Sequence, residues 1–296
     1  APRVLARGRI PVGGRVALRV PWPIGAIDPH RIDDPLAAIF GEALFDTLYA
    51  QTPEGQLVPS LAEAEPEPDG ANLRVKLRAG LRTAKEKPFG TKDALQSIAR
   101  ARASGARGWL ADIPVPRDDG RALVFATKDA ARLTRALASP IVAMVPSGFS
   151  PESPDGTGPF RFGIRDGALL LTKNRLAARG PAFLDEITVR AAANVSASLL
   201  AFEGGSDDIG WFERGLHAVR AGSKTFDHGA VGWAVLCTGR DAVAWDRPGI
   251  AQSVADGIPY SRVSNLHLGA AWTESPGQGW GGPPVTLIVR DDSPWL

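Results

Sequence analysis

Cysteine occurs once in the 296 residues, at Cys237, methionine once, tyrosine twice and histidine four times. A single thiol excludes an intramolecular disulfide framework and any multi-cysteine metal site, and so cysteine usage does not set the compartment. No apolar run approaches the roughly 18 residues that a membrane helix needs, and no charged-then-apolar leader opens the chain, so a secretory signal, if the gene has one, is expected to have been removed. Neither sign of charge dominates. Lysine plus arginine number 34 against 32 acidic residues, a formal charge of +2, too small a field to gather nucleic acid or anionic lipid.

What the chain does have is apolar content and length. Hydrophobic residues make up 44%, ample for a packed core, and the length suggests about two domains at roughly 150 residues each. Arg3, Arg7, Arg9, Arg15 and Arg19 make the beginning locally basic. Residues 1–14 intersperse Pro2, Gly8, Pro11, Gly13 and Gly14 among these arginines, which reads as a linker or tether.

Periodicity then gives the elements. Val16, Leu18 and Val20 alternate with Arg15 and Arg19, the pattern of a half-buried strand that ends at Trp22-Pro23. Asp34 can cap a helix with Pro35 in its first turn; Leu36, Ile39, Phe40, Ala43, Leu44 and Leu48 recur at helical spacing, which turns Glu42 and Asp46 outward. Leu73, Val75 and Leu77 predict a second amphipathic strand, and Thr91 with Asp93 opens a helix carrying Leu95, Ile98 and Ala99. A strand at 122–126 and a helix at 130–138 follow. Asp155 to Phe160 is a turn-rich break and a candidate domain junction. Beyond it, Asp166-Gly167 joins two strand-like runs as a hairpin, 186–190 alternates, and 195–202 forms a short helix ended by Gly204-Gly205. Asp208-Ile209-Gly210 restarts extended structure. A strand over 230–237, a helix over 250–255 and a strand over 285–289 complete an α+β pattern without internal repeats.

The search for chemistry returns little. Gly156-Thr157-Gly158 fails as a dinucleotide fingerprint because Arg161 stands where the third glycine belongs. His30, His217, His228 and His267 are too scattered to give a metal-ligand spacing. Asp28, His30 and Asp33 lie close enough to hold a cation, although turn capping beside Pro29 explains them more simply. No Gly-x-Ser-x-Gly elbow occurs, and Cys237 within an apolar run has the setting of an inert buried thiol. Asp207 and Asp208 could pair for acid-base work but suit a strand-entry turn better. No catalysis and no cofactor are expected. Of the eight tryptophans, Trp22 stands out, because it follows a strand end beside Pro23 and Gly25, where loops tend to carry function.

Several stretches, taken in order, resemble the extracellular solute-binding proteins of family 5, the peptide and nickel type of ABC importer component. They are Ile27-Asp28-Pro29-His30; Leu44-Phe45-Asp46-Thr47-Leu48-Tyr49; Gly55 to Glu63; Pro68-Asp69-Gly70; Leu77-Arg78-Ala79-Gly80-Leu81; and Pro88 to Ala94. Later come Gly156-Thr157-Gly158-Pro159-Phe160, Lys173-Asn174, Gly180 to Ile187, Ala201 to Gly205 and Asp208-Ile209-Gly210. Each is weak singly, but their order over residues 16–210 is specific. Two stretches depart from the family pattern, Arg82 to Lys87 and Arg175-Leu176-Ala177, as a specialised or degenerate member would.

The resemblance implies an α+β, periplasmic-binding-protein-like (type II) lobe with mixed sheets. In it, residues 1–50 and 157–296 would form a discontinuous main domain, and residues 51–156 an inserted smaller α/β domain. The second, ligand-closing lobe is expected to be absent. It implies a solute, peptide-like in the first instance, captured between two lobes that close by hinge motion; a metal chelate, haem or sugar stays open as an alternative ligand. Position in the family pattern makes Trp22, Pro23, Ile24 and Gly25 cleft-lining, together with Trp233, Cys237 and Thr238. Trp22 and Trp233 would pack on the ligand, while Gly25 and Thr238 would give polar contacts. The implied partners are a membrane permease and a small ligand, with a second chain as one source of the missing lobe, and the implied place is periplasmic or extracellular, with a lipid anchor compatible. A lobe reused as a protein-protein interaction subunit is the alternative.

Overall fold

The computed structural model describes residues 12–210 and 218–224. By contacts the chain divides into two units, 1–211 and 212–296. In the second unit the described residues 218–224 include a turn in which the Ser223 N–H donates to the Arg220 carbonyl at 3.1 Å.

In the first unit, β1 (Arg15–Val20) buries Leu18 and Val20. It leads through a loop to α1 (Pro35–Leu44), where Asp34 accepts from the Ala37 N–H and Pro35 occupies the first turn. The helix stops at Leu44, one turn short of the apolar spacing that includes Leu48. Phe45 leaves the helix in extended conformation, and Asp46, expected to face outward, is only 2% exposed. The sequence continues through β2 (Tyr49–Gln51), β3 (Leu57–Pro59), β4 (Glu67–Asp69) and β5 (Asn72–Lys76). Next come α2 (Thr91–Ala103), β6 (Arg117–Asp118), β7 (Ala122–Phe125) and α3 (Ala130–Leu137). Gly90, not Thr91, is the cap of α2, and the Asp93 carboxylate reaches back to the Gly90 N–H at 3.0 Å.

The elements that follow α1 make one hydrophobic body. An antiparallel sheet ordered β4-β5-β7-β6 packs with α2 and α3 around a core running from Leu48 to Met144, in which Leu110, Leu123, Phe125, Leu133 and Leu137 are fully buried. The four residues of β7 are all buried, as suits a central strand.

A second body closes on the first element. β8 (Phe160–Arg165) and β9 (Ala168–Lys173) form a hairpin whose turn residues Asp166 and Gly167 both have positive φ, 52° and 74°, the conformation of a type I′ turn. β10 (Glu186–Ala191) lies antiparallel to β9 and parallel to β1, in the order β1-β10-β9-β8. α4 (Val195–Glu203) follows with Asn194 as its cap. The chain then passes the free side of β1, where Ile209 bridges Leu18 in parallel. Asp208 accepts from the Ala17 N–H at 2.9 Å and Asp207 from Arg19 at 2.9 Å, so these two carboxylates fasten a strand to its neighbour rather than face each other across a reaction site. The core of this body gathers Leu18, Val20, Ile27, Phe40, Leu44 and Phe45 with Phe160, Leu169, Leu171 and Val189.

Candidate functional site

Three parallel segments, β10, β1 and residues 207–209, run side by side, so their carboxyl ends and the loops leaving them share one edge of the sheet. In sheets with parallel strands that edge is where ligands settle, because the loops diverge there and leave a crevice. The loop leaving β1 carries Trp22, Pro23, Ile24 and Gly25. Trp22 and Ile24 are half-buried against the second body's core, whereas Pro23 and Gly25 are exposed, with open space where a Gly25 side chain would project. Beside it, the Ala192 N–H donates to the Val20 carbonyl at 2.8 Å and leads to the Asn194 cap of α4. The structure therefore gathers Trp22 to Gly25 at a parallel strand end. Trp233, Cys237 and Thr238 lie outside the described residues, as do the helix expected over 250–255 and the strands over 230–237 and 285–289.

Behind this loop lies a polar cluster. Asp28 takes both branches of the Arg100 guanidinium, at 2.8 and 2.6 Å, the bidentate geometry of a strong ion pair. His30, fully buried, accepts at Nδ1 from Arg100 at 2.8 Å and donates from Nε2 to the Ala143 carbonyl at 2.7 Å. Since an arginine only donates, that Nδ1 is unprotonated and the ring is neutral. Burial, the largest influence, pushes the His30 imidazole below its ordinary 6.5, and the charge of Arg100 adds to it against the pull of Ala143 and Asp28. Burial would raise the Asp28 carboxyl, but the Arg100 and His30 N–H groups hold it below 3.8. Asp33, grouped with these residues by sequence proximity, instead pairs with Arg31 at 2.8 Å. Among the described residues no group of three His, Cys, Asp or Glu side chains converges as metal ligands would.

A second cluster holds the turn-rich break in place. Asp46 accepts from the Thr157 hydroxyl at 2.8 Å and from Arg179 at 2.7 Å. Asn174 donates to the Gly158 carbonyl at 2.8 Å and accepts from the Leu176 N–H at 3.0 Å. A side chain at Gly158 would sit 2.6 Å from the Leu44 carbonyl carbon, so glycine is required because two backbones touch, and φ plays no part. Of the motif residues quoted above, Asp46, Gly156, Thr157, Gly158 and Asn174 thus form a seam holding the end of α1 to the second sheet. Sequence reasoning missed both Arg100 and Arg179 as partners, seventy-two residues from Asp28 and 133 from Asp46; no local spacing signals such pairs.

The described architecture matches solved structures of type II periplasmic binding proteins, and the α+β lobe is of that class. The profile of the bacterial extracellular solute-binding proteins, family 5, middle region, matches residues 56–217, more than half of the chain, and the chain belongs to that family. A nickel ABC transporter protein from Bacillus halodurans shares 26% identity at a TM-score of 0.54, covering 67% of this chain and 42% of that one. The ABC transporter-associated periplasmic binding protein DppA from Helicobacter pylori, solved with the peptide STSA, shares 22% at 0.56, with 67% and 46% covered. The oligopeptide-binding protein AppA from Bacillus subtilis, solved with a nonapeptide, shares 18% at 0.57, with 67% and 44% covered. The chain spans less than half the length of these structures. Among curated proteins there is no match.

Proposed function

We propose that this chain is a substrate-binding component of an ABC importer and contributes one face of a cleft that captures a small, peptide-like solute. The observation that carries the reading is the family match over residues 56–217; the loop Trp22 to Gly25 at the parallel strand ends supports it. In that role Trp22 gives a flat apolar surface for packing and the open backbone at Gly25 admits a ligand main chain. A single face covers one side of a ligand, whereas a small-molecule site encloses about 70–90% of its ligand. A second lobe, in the same polypeptide or another chain, would complete the enclosure.

The division proposed is a discontinuous main domain, residues 1–50 and 157–296, with residues 51–156 inserted; within the first unit it is supported by two separate cores, one from Leu48 to Met144 and one joining residues 18–45 to 143–189. The protein would act by binding and without catalysis, in the periplasm or outside the cell, delivering to a membrane permease and held near it by a lipid anchor. No described helix is long and apolar enough to cross a membrane.

Native mass spectrometry of the chain purified from its own cells tests the reading. A co-purified small molecule of peptide mass, lost in Trp22→Ala, is the expected result. A fixed protein partner with no small molecule would overturn it in favour of an interaction subunit.

A further inference from the structure

The Asp28–His30–Arg100 cluster stands where the two hydrophobic bodies meet. Asp28 and His30 belong to the segment entering α1, with Ile27 in the core of the second body. Arg100 lies on α2, whose Ile98 and Ala101 belong to the core of the first. His30 ties them three ways. Its ring joins Arg100 to the Ala143 carbonyl, and its own carbonyl accepts from the Gly105 N–H at 2.9 Å and the Ser104 hydroxyl at 2.9 Å. The Ala143 carbonyl is shared with the Ser97 hydroxyl at 3.1 Å, which in turn accepts from the Val145 N–H at 3.0 Å. The crossing from one core to the other, Val142-Ala143-Met144-Val145, is therefore pinned by α2 and His30 together.

We propose that Asp28, His30 and Arg100 form an acid-releasable latch, in which protonation of the buried His30 loosens the joint between the two hydrophobic bodies. The geometry makes the neutral ring obligatory. A proton on Nδ1 would face the Arg100 N–H across 2.8 Å, donor against donor, with two like charges in contact. The charged groups around the ring come from each side. Its own segment provides Asp28, with Asp34 bonded to the Asp28 N–H and Arg31 further out. α2 provides Arg100, which stacks on Phe149 at 5.0 Å, and the segment after Phe149 brings Glu152, whose charge reaches Asp28. The segment at Ala143 provides only its carbonyl. Asp28 already satisfies Arg100, so it cannot turn to neutralise a charged imidazole without giving up that pair.

The sign follows. The folded His30 value lies below 6.5, so the latch is intact above pH 6.5 and weakens as pH falls from there toward the folded value. Asp28 stays ionised through that window because its own value is held below 3.8. Within the window, one pH unit can shift the opening equilibrium by at most about tenfold.

Hydrogen exchange, corrected for the intrinsic pH dependence, reads the joint directly. Between pH 6.5 and 5.5 the protection of the Gly105 and Val145 amides should fall, by at most about fivefold, and drop below that of the β5–β7 ladder. In His30→Gln, whose amide keeps one donor and one acceptor without titrating, that pH response should vanish. An equal response in His30→Gln overturns the latch. So does joint protection equal to that of the β5–β7 ladder at both pH values, since the joint would then open only when the whole unit unfolds. This second comparison uses the unmodified protein and decides the matter even if the variant does not fold.

Discussion

The two hydrophobic bodies are built in opposite ways. The first draws its core from one stretch, Leu48 to Met144, and its sheet pairs strands antiparallel, β4 with β5 and β6 with β7 as chain neighbours and β5 with β7 no more than 52 residues apart. The second joins residues 18–45 to residues 143–189, and its defining contact is the parallel pairing of Arg15–Val20 with Glu186–Ala191, 171 residues apart at every position. Closing a loop that long costs chain entropy before any contact repays it. The contrast teaches why the seam residues are concentrated in the second body: Asp46, Gly156, Thr157, Gly158, Asn174, Asp207 and Asp208 all serve to bring distant segments together.

The largest test of this contrast uses one chemistry in two places. Leu133→Ala and Leu169→Ala each remove a fully buried leucine, and each should cost about 2–5 kcal/mol in denaturant unfolding. Native-state exchange should separate them: Leu169→Ala exposes β8–β10 while β5–β7 stays protected, whereas Leu133→Ala loosens the first body. Identical exchange patterns would mean one cooperative core and would erase the distinction.

A smaller effect is expected at the seam. Gly156→Ala places a methyl group on the Leu44 carbonyl oxygen and against the Phe45 ring, forcing backbone to move, which costs about 1–3 kcal/mol. The change touches no ligand group, so thermal unfolding should register it while exchange in β5–β7 does not. An unchanged midpoint would show that the close approach of residue 156 to α1 contributes nothing.

The smallest effect falls at the candidate cleft. Gly25→Ala meets open space at an exposed loop position, and its stability should stay within about 0.5 kcal/mol of the parent. If the Trp22 to Gly25 loop lines a cleft, ligand affinity should nevertheless fall; unchanged affinity together with unchanged stability would remove Gly25 from the site.

Legibility followed the same division. Elements with regular periodicity were readable locally: β1 from its alternating valines and leucine, α1 from Asp34-Pro35, and the β8–β9 hairpin from Asp166-Gly167. The end of α1 was not, because Leu48 continues the helical spacing while Asp46 leaves the helix to meet Thr157 and Arg179, partners that only the folded chain brings near. The short strands β2, β3, β4 and β6, of two or three residues each, carry too few positions for any period to register. At the site, Trp22 to Gly25 could be singled out by its place after a strand, but its position beside β10 and α4 could not.

By itself, the sequence determined the capped helix starts, the β8–β9 turn, the longer strands, the α+β class and the family, because caps, turn glycines and hydrophobic periods act through neighbours a few residues away. Only the tertiary structure decided that His30 is neutral, that Arg100 and Arg179 complete two buried carboxylates, and that β1 pairs with β10. Each depends on groups 70 or more residues apart, whose meeting is set by packing of whole elements and leaves no periodic trace along the chain.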